Sequence, residues 1–185
     1  MERRVKDRNI LDQFCIDFCS ILDKYCKYII VSGFVAISSG RTRGTEDIDV
    51  IIQRIRKETF AKLHNELIKN SFVCMQSEST DEIYDYLKDN ICVRYTRKDK
   101  PLPEMELKFA KDELDNYQLI TRTKLPLTGL DLWFGSINMN IAFKEEYLKS
   151  DKDLEDAKHL RTVYEDQIDE KEINKIKQMI KRLRL

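Results

Sequence analysis

Residues 31–50, VSGFVAISSGRTRGTEDIDV, contain the features that decide the fold of this chain. The apolar residues 28–31 predict a short buried strand, which ends at Ser32 and Gly33. A short helix begins directly afterwards, over residues 34–38. A strand that turns into a helix presents free backbone N–H groups, and glycine allows a ligand to approach them closely. The sequence therefore predicts an anion-binding turn at this point.

A pair of aspartates follows on the next predicted strand, residues 47–52. Asp47 and Asp49 are two positions apart, so both carboxylates point to the same face of that strand. Two buried like charges are costly unless a cation neutralises them, and paired oxygen ligands suit Mg²⁺ or Mn²⁺. The alternative is a strand edge with two solvated acids, a pattern that is common by chance. The pair alone leaves both interpretations open.

The remainder of the chain continues this order of helices and strands. Before residue 118, apolar periodicity predicts helices at about 8–27, 57–70 and 83–87, and strands at 91–96 and 105–109. Residues 118–136 are predicted to be rich in strands. The C-terminal part is predicted to be helical, in segments 138–149, 152–166 and 169–184. We therefore expect an α/β (α+β) core with a small mixed sheet over residues 1–137, and a helical C-terminal region over 138–185 that packs on it as one compact unit.

Composition and charge exclude several classes of protein. The chain has 33 Lys and Arg against 33 Asp and Glu, so its formal net charge is zero at pH 7. This balance argues against a general polyanion-binding protein. No apolar run approaches the ~18 residues of a membrane span, and the N-terminal segment MERRVKDRNI lacks the apolar region of a signal peptide. We expect a cytoplasmic protein without a membrane partner.

The turn and the aspartate pair together resemble the nucleotidyltransferase superfamily. Its signature is a hydrophobic residue, Gly and Gly or Ser, a spacer, and then Asp–hydrophobic–Asp or Glu; here thirteen residues separate Gly33 from Asp47. The run RGTEDID at 43–49 is similar to the R-x-T-x-D-I-D form of small prokaryotic members. Ser32 stands where most members have the first Gly. This departure bears on the geometry of the phosphate loop and leaves the aspartate pair untouched.

The resemblance implies roles for these residues. Asp47 and Asp49 become metal ligands and catalytic residues, and the family requires a third carboxylate from a later strand. Glu106 is the best candidate because it lies on the polar face of predicted strand 105–109, and Glu104 on the same face is the alternative. Joint binding of Mg²⁺ or Mn²⁺ predicts that the three carboxylates converge. Nucleotide binding is implied for Ser32, Gly33, Arg43 and Thr45.

A second block near the C-terminal end carries a further resemblance. The segments IAFK at 141–144 and SDKDLED at 150–156 look like the Lys … Lys-Asp-x-x-Asp pattern of AbiEii-type toxins and their relatives. The implied role of Lys144 is contact with the triphosphate of the nucleotide. Asp153 or Asp156 is then implied to hold Lys144 or a neighbouring helix. The alternative for each of these residues is the solvated face of an amphipathic helix.

The resemblance implies an enzyme that moves an NMP from an NTP to a hydroxyl of RNA, tRNA or protein. The AbiEii-like pattern adds the expectation of a toxin–antitoxin component with an antitoxin partner. The alternative within the same fold is a non-catalytic module that binds an NTP or a partner. A helical interaction protein built on the basic C-terminal helix is a third possibility, and it leaves the aspartate pair unexplained.

The C-terminal end consists of an acidic segment followed by a basic one. Residues 171–185 carry six Lys and Arg against one Glu, whereas residues 151–170 carry eight acids against three bases. The basic segment predicts an amphipathic helix that could contact nucleic acid. It could equally pair with the acidic segment before it. We favour this second, structural interpretation.

Overall fold

The computed structural model describes residues 9–185. The predicted start of the first helix at residue 8 and most of the N-terminal segment inspected for a signal peptide lie outside the described residues. Within residues 9–185, no helix combines the length and the apolar character needed to cross a bilayer.

The centre of the molecule is a five-stranded mixed sheet, which confirms the predicted fold class. Its strands are β1 (Tyr28–Val31), β2 (Asp47–Ile52), β3 (Phe72–Cys74), β4 (Val93–Arg97) and β5 (Lys100–Phe109). Their order across the sheet is β1-β2-β5-β4-β3. The β2–β5 pair is parallel and the other pairs are antiparallel.

Helices surround this sheet and form the C-terminal region. The α-helices are α1 (Ile10–Leu22), α2 (Gly33–Ser38), α3 (Lys57–Lys69), α4 (Thr80–Lys88), α5 (Glu113–Ile120), α6 (Ile137–Phe143), α7 (Asp151–Val163) and α8 (Glu170–Arg184). A π-helical turn over Lys144–Leu148 continues α6. Helix α7 packs against α2, and α8 packs against α6 and α5. The C-terminal helices therefore lie beside the turn that precedes α2.

Alternation along β2 and β5 gives the sheet one apolar face and one charged face. The buried residues on the apolar face are Ile48, Val50 and Ile52 of β2 and, in register with them, Met105, Leu107 and Phe109 of β5. Helices α1 and α3 cover this face through aromatic contacts, such as the edge-to-face contact of Phe60 with Phe109. The opposite face carries the acidic residues of both strands. The hydrophobic pattern thus fixes which side of the sheet bears the charges.

The predicted strands over residues 118–136 are wrong. Helix α5 covers Glu113–Ile120, and Asp112 caps its start by accepting a hydrogen bond from the backbone N–H of Asp115 at 2.9 Å. After it, the segment passes through a 3₁₀ turn at Pro126–Thr128, with Leu125, Leu130 and Phe134 buried. Its pairing is confined to isolated bridges, in which Phe134 joins β1 and the start of the same segment. Apolar residues here fill the core without forming a strand.

The basic C-terminal helix pairs with acids, but not with the segment we expected. Lys177 binds Glu145 at 2.7 Å, and Arg184 binds both Asp112 and Asp115 at 2.7 Å. These partners lie on the π-helical turn and at the start of α5 rather than in residues 151–170. The packing of α8 between α6 and α5 explains the difference, since it turns the basic face away from α7.

Candidate active site

Ser32 holds the turn between β1 and α2 in a conformation that favours glycine. Its backbone has φ 66° and ψ −137°, and a non-glycine residue in such a sparsely populated region costs about 1–3 kcal/mol. A glycine at this position would avoid this strain. The pKa of Asp49 is raised mainly by burial, and the Ser32 hydroxyl beside it opposes this rise slightly.

Gly33 allows an arginine to lie directly on the turn. A Cβ built on Gly33 would meet Nη2 of Arg43 at 2.1 Å, which is far inside contact distance. The same Nη2 donates to Oδ2 of Asp156 at 3.1 Å. Any side chain at position 33 would displace the guanidinium. Gly33 is thus needed for the approach of Arg43, independently of any ligand.

The two aspartates of β2 have different surroundings. Asp47 is exposed, and its Oδ1 accepts a hydrogen bond from the Thr45 hydroxyl at 2.7 Å. Asp49 is half-buried, and burial is the main reason that its pKa is raised. The nearby negative charges of Glu106 and Asp47 raise it further, while Lys108 opposes them. The face of β2 therefore carries negative charge that the protein compensates incompletely.

The third carboxylate lies on the neighbouring strand and is already engaged. Glu106 is in register with Asp49, and Glu104 is in register with Asp47. From β4, Arg94 reaches across to Oε2 of Glu106 at 3.2 Å and to Oε2 of Glu104 at 3.4 Å. Among residues 9–185, no three acidic, histidine or cysteine side chains are grouped so that they could hold a metal ion. The structure therefore does not group Asp47, Asp49 and Glu106 as the expected metal site, and it pairs Glu106 with Arg94 instead.

The residues nevertheless fit a divalent cation. Asp47 and Asp49 offer carboxylate oxygens on one strand face, which are the donors that Mg²⁺ and Mn²⁺ prefer. Burial and the neighbouring carboxylates raise the pKa of Asp49, so a cation bound beside it would be favoured. Arg94 contacts Oε2 of Glu106, and Oε1 of the same carboxylate could serve as a third donor. The site thus has donors suited to a divalent cation.

Lys144 is buried in an ion-pair network of the C-terminal helices. It is 1% exposed, and its Nζ donates to Oδ2 of Asp156 at 2.9 Å and to Oδ1 of Asp153 at 3.3 Å. Asp156 is fully buried and also accepts from Nε of Arg41 at 2.5 Å. Although burial raises the pKa of Asp156, Lys144 and the arginines lower it below its ordinary value. This carboxylate is fully compensated by cations of the protein itself.

The network joins the two sequence blocks in space. Oδ2 of Asp156 accepts hydrogen bonds from both Lys144 and Arg43, and Arg43 lies against Gly33. Residues predicted separately from the two motifs are therefore linked by consecutive contacts. The π-helical turn begins at Lys144, and such turns are frequent at functional sites.

Sequence reasoning missed Arg94 and the full role of Arg41. The pairing of Arg94 with Glu106 depends on the antiparallel register of β4 and β5, which includes an irregularity between Tyr95 and Arg97. No periodicity reveals such a register. The one available signal for the role of Arg41 was its proximity to Arg43 in the sequence, which allows both arginines to bind Asp156.

Two cavities flank the aspartate pair. One, of about 230 Å³, lies between the charged face of the sheet and the C-terminal helices, and Asp49, Ser32 and Lys144 line part of it. The other is an open groove of about 690 Å³ on the side of Asp47, with Lys152 on its wall. Each aspartate therefore faces a different space.

Comparisons of sequence give no relative: no family model matches the chain, and no curated protein matches it. Comparison of structures is informative. The fold is similar to that of an antigenic nucleotidyltransferase-like protein from Paracoccidioides brasiliensis, at 16% identity and a TM-score of 0.54, over 92% of this chain and 87% of that protein.

Two further solved structures share the fold. ANT(2'')-Ia in complex with adenylyl-2''-tobramycin matches at 14% identity and a TM-score of 0.54, over 94% of this chain and 98% of that protein. JHP933 from Helicobacter pylori matches at 15% identity and a TM-score of 0.51, over 91% and 72% of the two chains. At these identities the likeness establishes a nucleotidyltransferase-like fold for this chain.

Proposed function

We propose that the protein is a metal-dependent nucleotidyltransferase that moves an NMP from an NTP to a hydroxyl acceptor. The observation that carries this proposal is the contact chain from Lys144 through Asp156 and Arg43 to Gly33, beside the aspartate pair. It brings cationic groups and the first turn of α2 to a strand face that carries several carboxylates. This is the arrangement that a triphosphate and a divalent cation require together.

Asp47, Asp49 and Glu106 are the residues that would hold Mg²⁺ or Mn²⁺. The bound cation would neutralise phosphate charge and activate the attacking oxygen. Thr45 orients Asp47 through its hydrogen bond. Glu106 is held by Arg94 through Oε2 and would offer its other oxygen, Oε1, to the cation.

The triphosphate is proposed to lie between the Ser32–Gly33 turn and Lys144. The N–H groups of the turn supply partial positive charge, and Arg43 adds a full charge directly on Gly33. Lys144 faces the same cavity as Ser32 and Asp49. Asp153 and Asp156 act as positioning residues, because they hold the ammonium of Lys144 and, in the case of Asp156, also Arg43.

The proposed reaction is an in-line displacement. The acceptor hydroxyl oxygen forms a bond to the α-phosphorus of the NTP, and the bond from that phosphorus to the bridging oxygen breaks. Pyrophosphate leaves with the electron pair, and the hydroxyl proton passes to solvent. We propose RNA, tRNA or protein as the class of acceptor, and an AbiEii-like toxin with an antitoxin partner as the biological setting. ANT(2'')-Ia, solved with an adenylylated product, supports nucleotidyl transfer by a protein of this fold.

Two experiments test this function. Thermal unfolding of the chain with each NTP, with and without Mg²⁺, is expected to show stabilisation that needs both ligands. Incubation with each labelled NTP and total RNA or cell lysate is expected to transfer label to an acceptor, and Asp49→Asn is expected to abolish it. Full transfer by a variant with Asn at both 47 and 49 would overturn the assignment.

A non-catalytic NTP-binding module is the second candidate. The ion pair of Arg94 with Glu106 favours it, since it withholds the third carboxylate. This candidate predicts stabilisation by NTP and no transfer of label to any acceptor, whereas the enzyme predicts both.

A further inference from the structure

Two buried amide side chains line the cavity beside Asp49 and leave their carbonyl oxygens unused. Asn140 is 4% exposed and Gln118 is 3% exposed, and both lie on the cavity wall. Among residues 9–185, no group donates a hydrogen bond to Oδ1 of Asn140 or to Oε1 of Gln118. Neither oxygen is sealed from solvent. A buried carbonyl oxygen without a donor is costly, so the cavity is suited to an occupant that donates hydrogen bonds.

The amide nitrogens fix the orientation of both side chains. Nδ2 of Asn140 donates to the carbonyl oxygens of Gly135 and Ser136, at 2.9 Å and 3.0 Å. Nε2 of Gln118 donates to Oδ1 of Asp115 at 3.2 Å. Rotating either amide by half a turn would place its oxygen against another oxygen acceptor. The carbonyl oxygens are therefore the groups left for a ligand.

The two amides meet beside Gly135. A Cβ built on Gly135 would be 3.3 Å from Nδ2 of Asn140 and 3.7 Å from Oε1 of Gln118. It would also be 3.6 Å from Cγ1 of Val31, the residue that precedes Ser32. The amides therefore act on one part of the cavity, next to the turn proposed for the triphosphate.

Asn140 is also close to the lysine proposed to bind the phosphates. It precedes Lys144 by four residues on the continuous helix that α6 forms with the π-helical turn. Residues at this spacing share a helix face and are ~6 Å apart along the axis. The ribose of a nucleotide spans such a gap between its phosphates and its base. A nucleotide whose phosphates contact Lys144 can thus present its base to the amides.

Apolar side chains complete the wall of the cavity. Val31, Ile51 and Phe143 line it together with the amides. A largely apolar wall with a few fixed polar groups is typical of small-molecule sites. A flat heteroaromatic base can pack against such a wall while its edge meets the polar groups.

We propose that this cavity holds the base of the NTP, and that Asn140 and Gln118 select a base with an exocyclic amino group. This inference rests on the proposed function and names its class of nucleotide. The N–H bonds of the amino group donate to Oδ1 of Asn140 and to Oε1 of Gln118. Uracil and hypoxanthine carry a carbonyl oxygen where cytosine and adenine carry that amino group. Bound in the same position, such an oxygen faces other oxygens and leaves both amides unpaired.

Three pairs of nucleotides test this selection, because the members of each pair differ mainly at the amino group. CTP and UTP, like ATP and ITP, exchange an amino group for a carbonyl oxygen, whereas GTP and ITP exchange it for hydrogen. Isothermal titration calorimetry of the full chain with Mg²⁺ gives the Kd of each nucleotide. The variants are Gln118→Met and Asn140→Leu, which remove the carbonyl oxygen at similar side-chain volume. Gln178→Met, the same change on the exposed face of α8, is the matched control.

We expect the amino-bearing member of at least one pair to bind about tenfold more tightly or better, and the pair that discriminates identifies the base. Each variant should reduce that preference by about threefold or more, whereas the control keeps it. Gln118→Met alone decides this point if loss of the Asn140 hydrogen bonds prevents folding.

Two results overturn this inference and leave the proposed function standing. One is equal affinity within all three pairs, with binding that depends on Mg²⁺. The other is a preference that the variants retain while all affinities fall alike, since the amides would then only support the fold. Absence of Mg²⁺-dependent binding of every nucleotide refutes the proposed function itself, and this inference with it.

Discussion

Asp49 and Asp156 are the same residue type in opposite electrostatic situations. Burial and two neighbouring carboxylates raise the pKa of Asp49. Asp156 is more deeply buried, yet Lys144 and two arginines lower its pKa. Burial alone therefore does not decide the state of a carboxylate; the number of cations that the protein supplies does.

This difference indicates that Asp49 binds a ligand, whereas Asp156 has a structural role in the site. Asp156 has its charge neutralised by residues of its own chain and organises them. Asp49 has a charge that its own chain compensates only in part, which is the state expected for a carboxylate whose partner comes from solution. Substitutions at these positions should consequently affect stability and activity in opposite ways.

The largest expected effect is on catalysis, at Asp49. Asp49→Asn should lower metal-dependent transfer by about 10³-fold, because charge stabilisation by a metal is worth several kcal/mol. In the presence of EDTA the same variant should unfold at a higher temperature than the wild type, since it removes a destabilising buried charge. Asp131→Asn, at an exposed position, is the control for both measurements. A lower unfolding temperature in EDTA would contradict the comparison.

Asp156 should show the reverse. Asp156→Ala leaves Lys144 buried without its nearest partner, and breaking a buried pair costs about 3–5 kcal/mol. Urea unfolding at pH 7 measures this loss, and Asp153→Ala, whose ion pair is longer and more exposed, should lose less. Because the folded pKa of Asp156 is lowered, its contribution is present above the unfolded pKa of ~3.9. This contribution is lost as the pH falls through the folded pKa of Asp156. The wild type and Asp156→Ala should therefore converge in stability in strong acid.

The contrast also explains what the sequence could and could not predict. The strand pattern and the two-residue spacing of the aspartates follow from local periodicity, and so does the sharing of one face by Glu106 and Glu104. The sharing of Asp156 by Lys144 and Arg43 needs the packing of α7 against α2, which no local pattern encodes. The engagement of Glu106 by Arg94 depends on strand register. The strand prediction for residues 118–136 failed because apolar side chains in a segment without regular structure can give the same sequence pattern as a strand.

A third prediction concerns the contribution of Lys144 to NTP affinity. Lys144→Ala should weaken NTP binding about tenfold, because it removes a full charge from the cavity next to Ser32. Lys149→Ala is the matched control, since Lys149 is exposed and, among residues 9–185, its one ion pair is with Glu146. Equilibrium titration with a fluorescent NTP analogue distinguishes them. Equal affinities of the two variants would leave Lys144 a structural role only.

Substitutions of Ser32 test whether the protein tolerates backbone strain at this position for the sake of a hydroxyl beside Asp49. Ser32→Gly removes the strain of a positive φ and also the hydroxyl beside Asp49. Ser32→Ala loses the same hydroxyl but keeps the strain, and it should be less stable than Ser32→Gly by about 1 kcal/mol. Thermal unfolding of the two variants gives this difference. Greater stability of the alanine variant would refute the strain argument.

The smallest effect is expected at Arg94. Arg94→Gln frees Glu106 from a partly exposed ion pair, which is worth about 0.2–1 kcal/mol. The affinity for Mn²⁺, followed by electron paramagnetic resonance, should therefore rise up to about fivefold. Arg56→Gln, at an exposed residue before α3, should leave it unchanged. Weaker Mn²⁺ binding would show that Arg94 orients Glu106 for the metal rather than competing with it.

The contact between Arg43 and Asp156 spans 113 residues of chain, and this separation has a consequence during synthesis on the ribosome. At ~5–20 residues per second, Asp156 is made roughly 6–23 seconds after Arg43. Throughout that interval the nascent chain has the turn and both aspartates of β2, but Arg43 has no carboxylate to hold it against Gly33. The nucleotide site is therefore completed only when α7 docks, at a late step in the folding of the newborn protein.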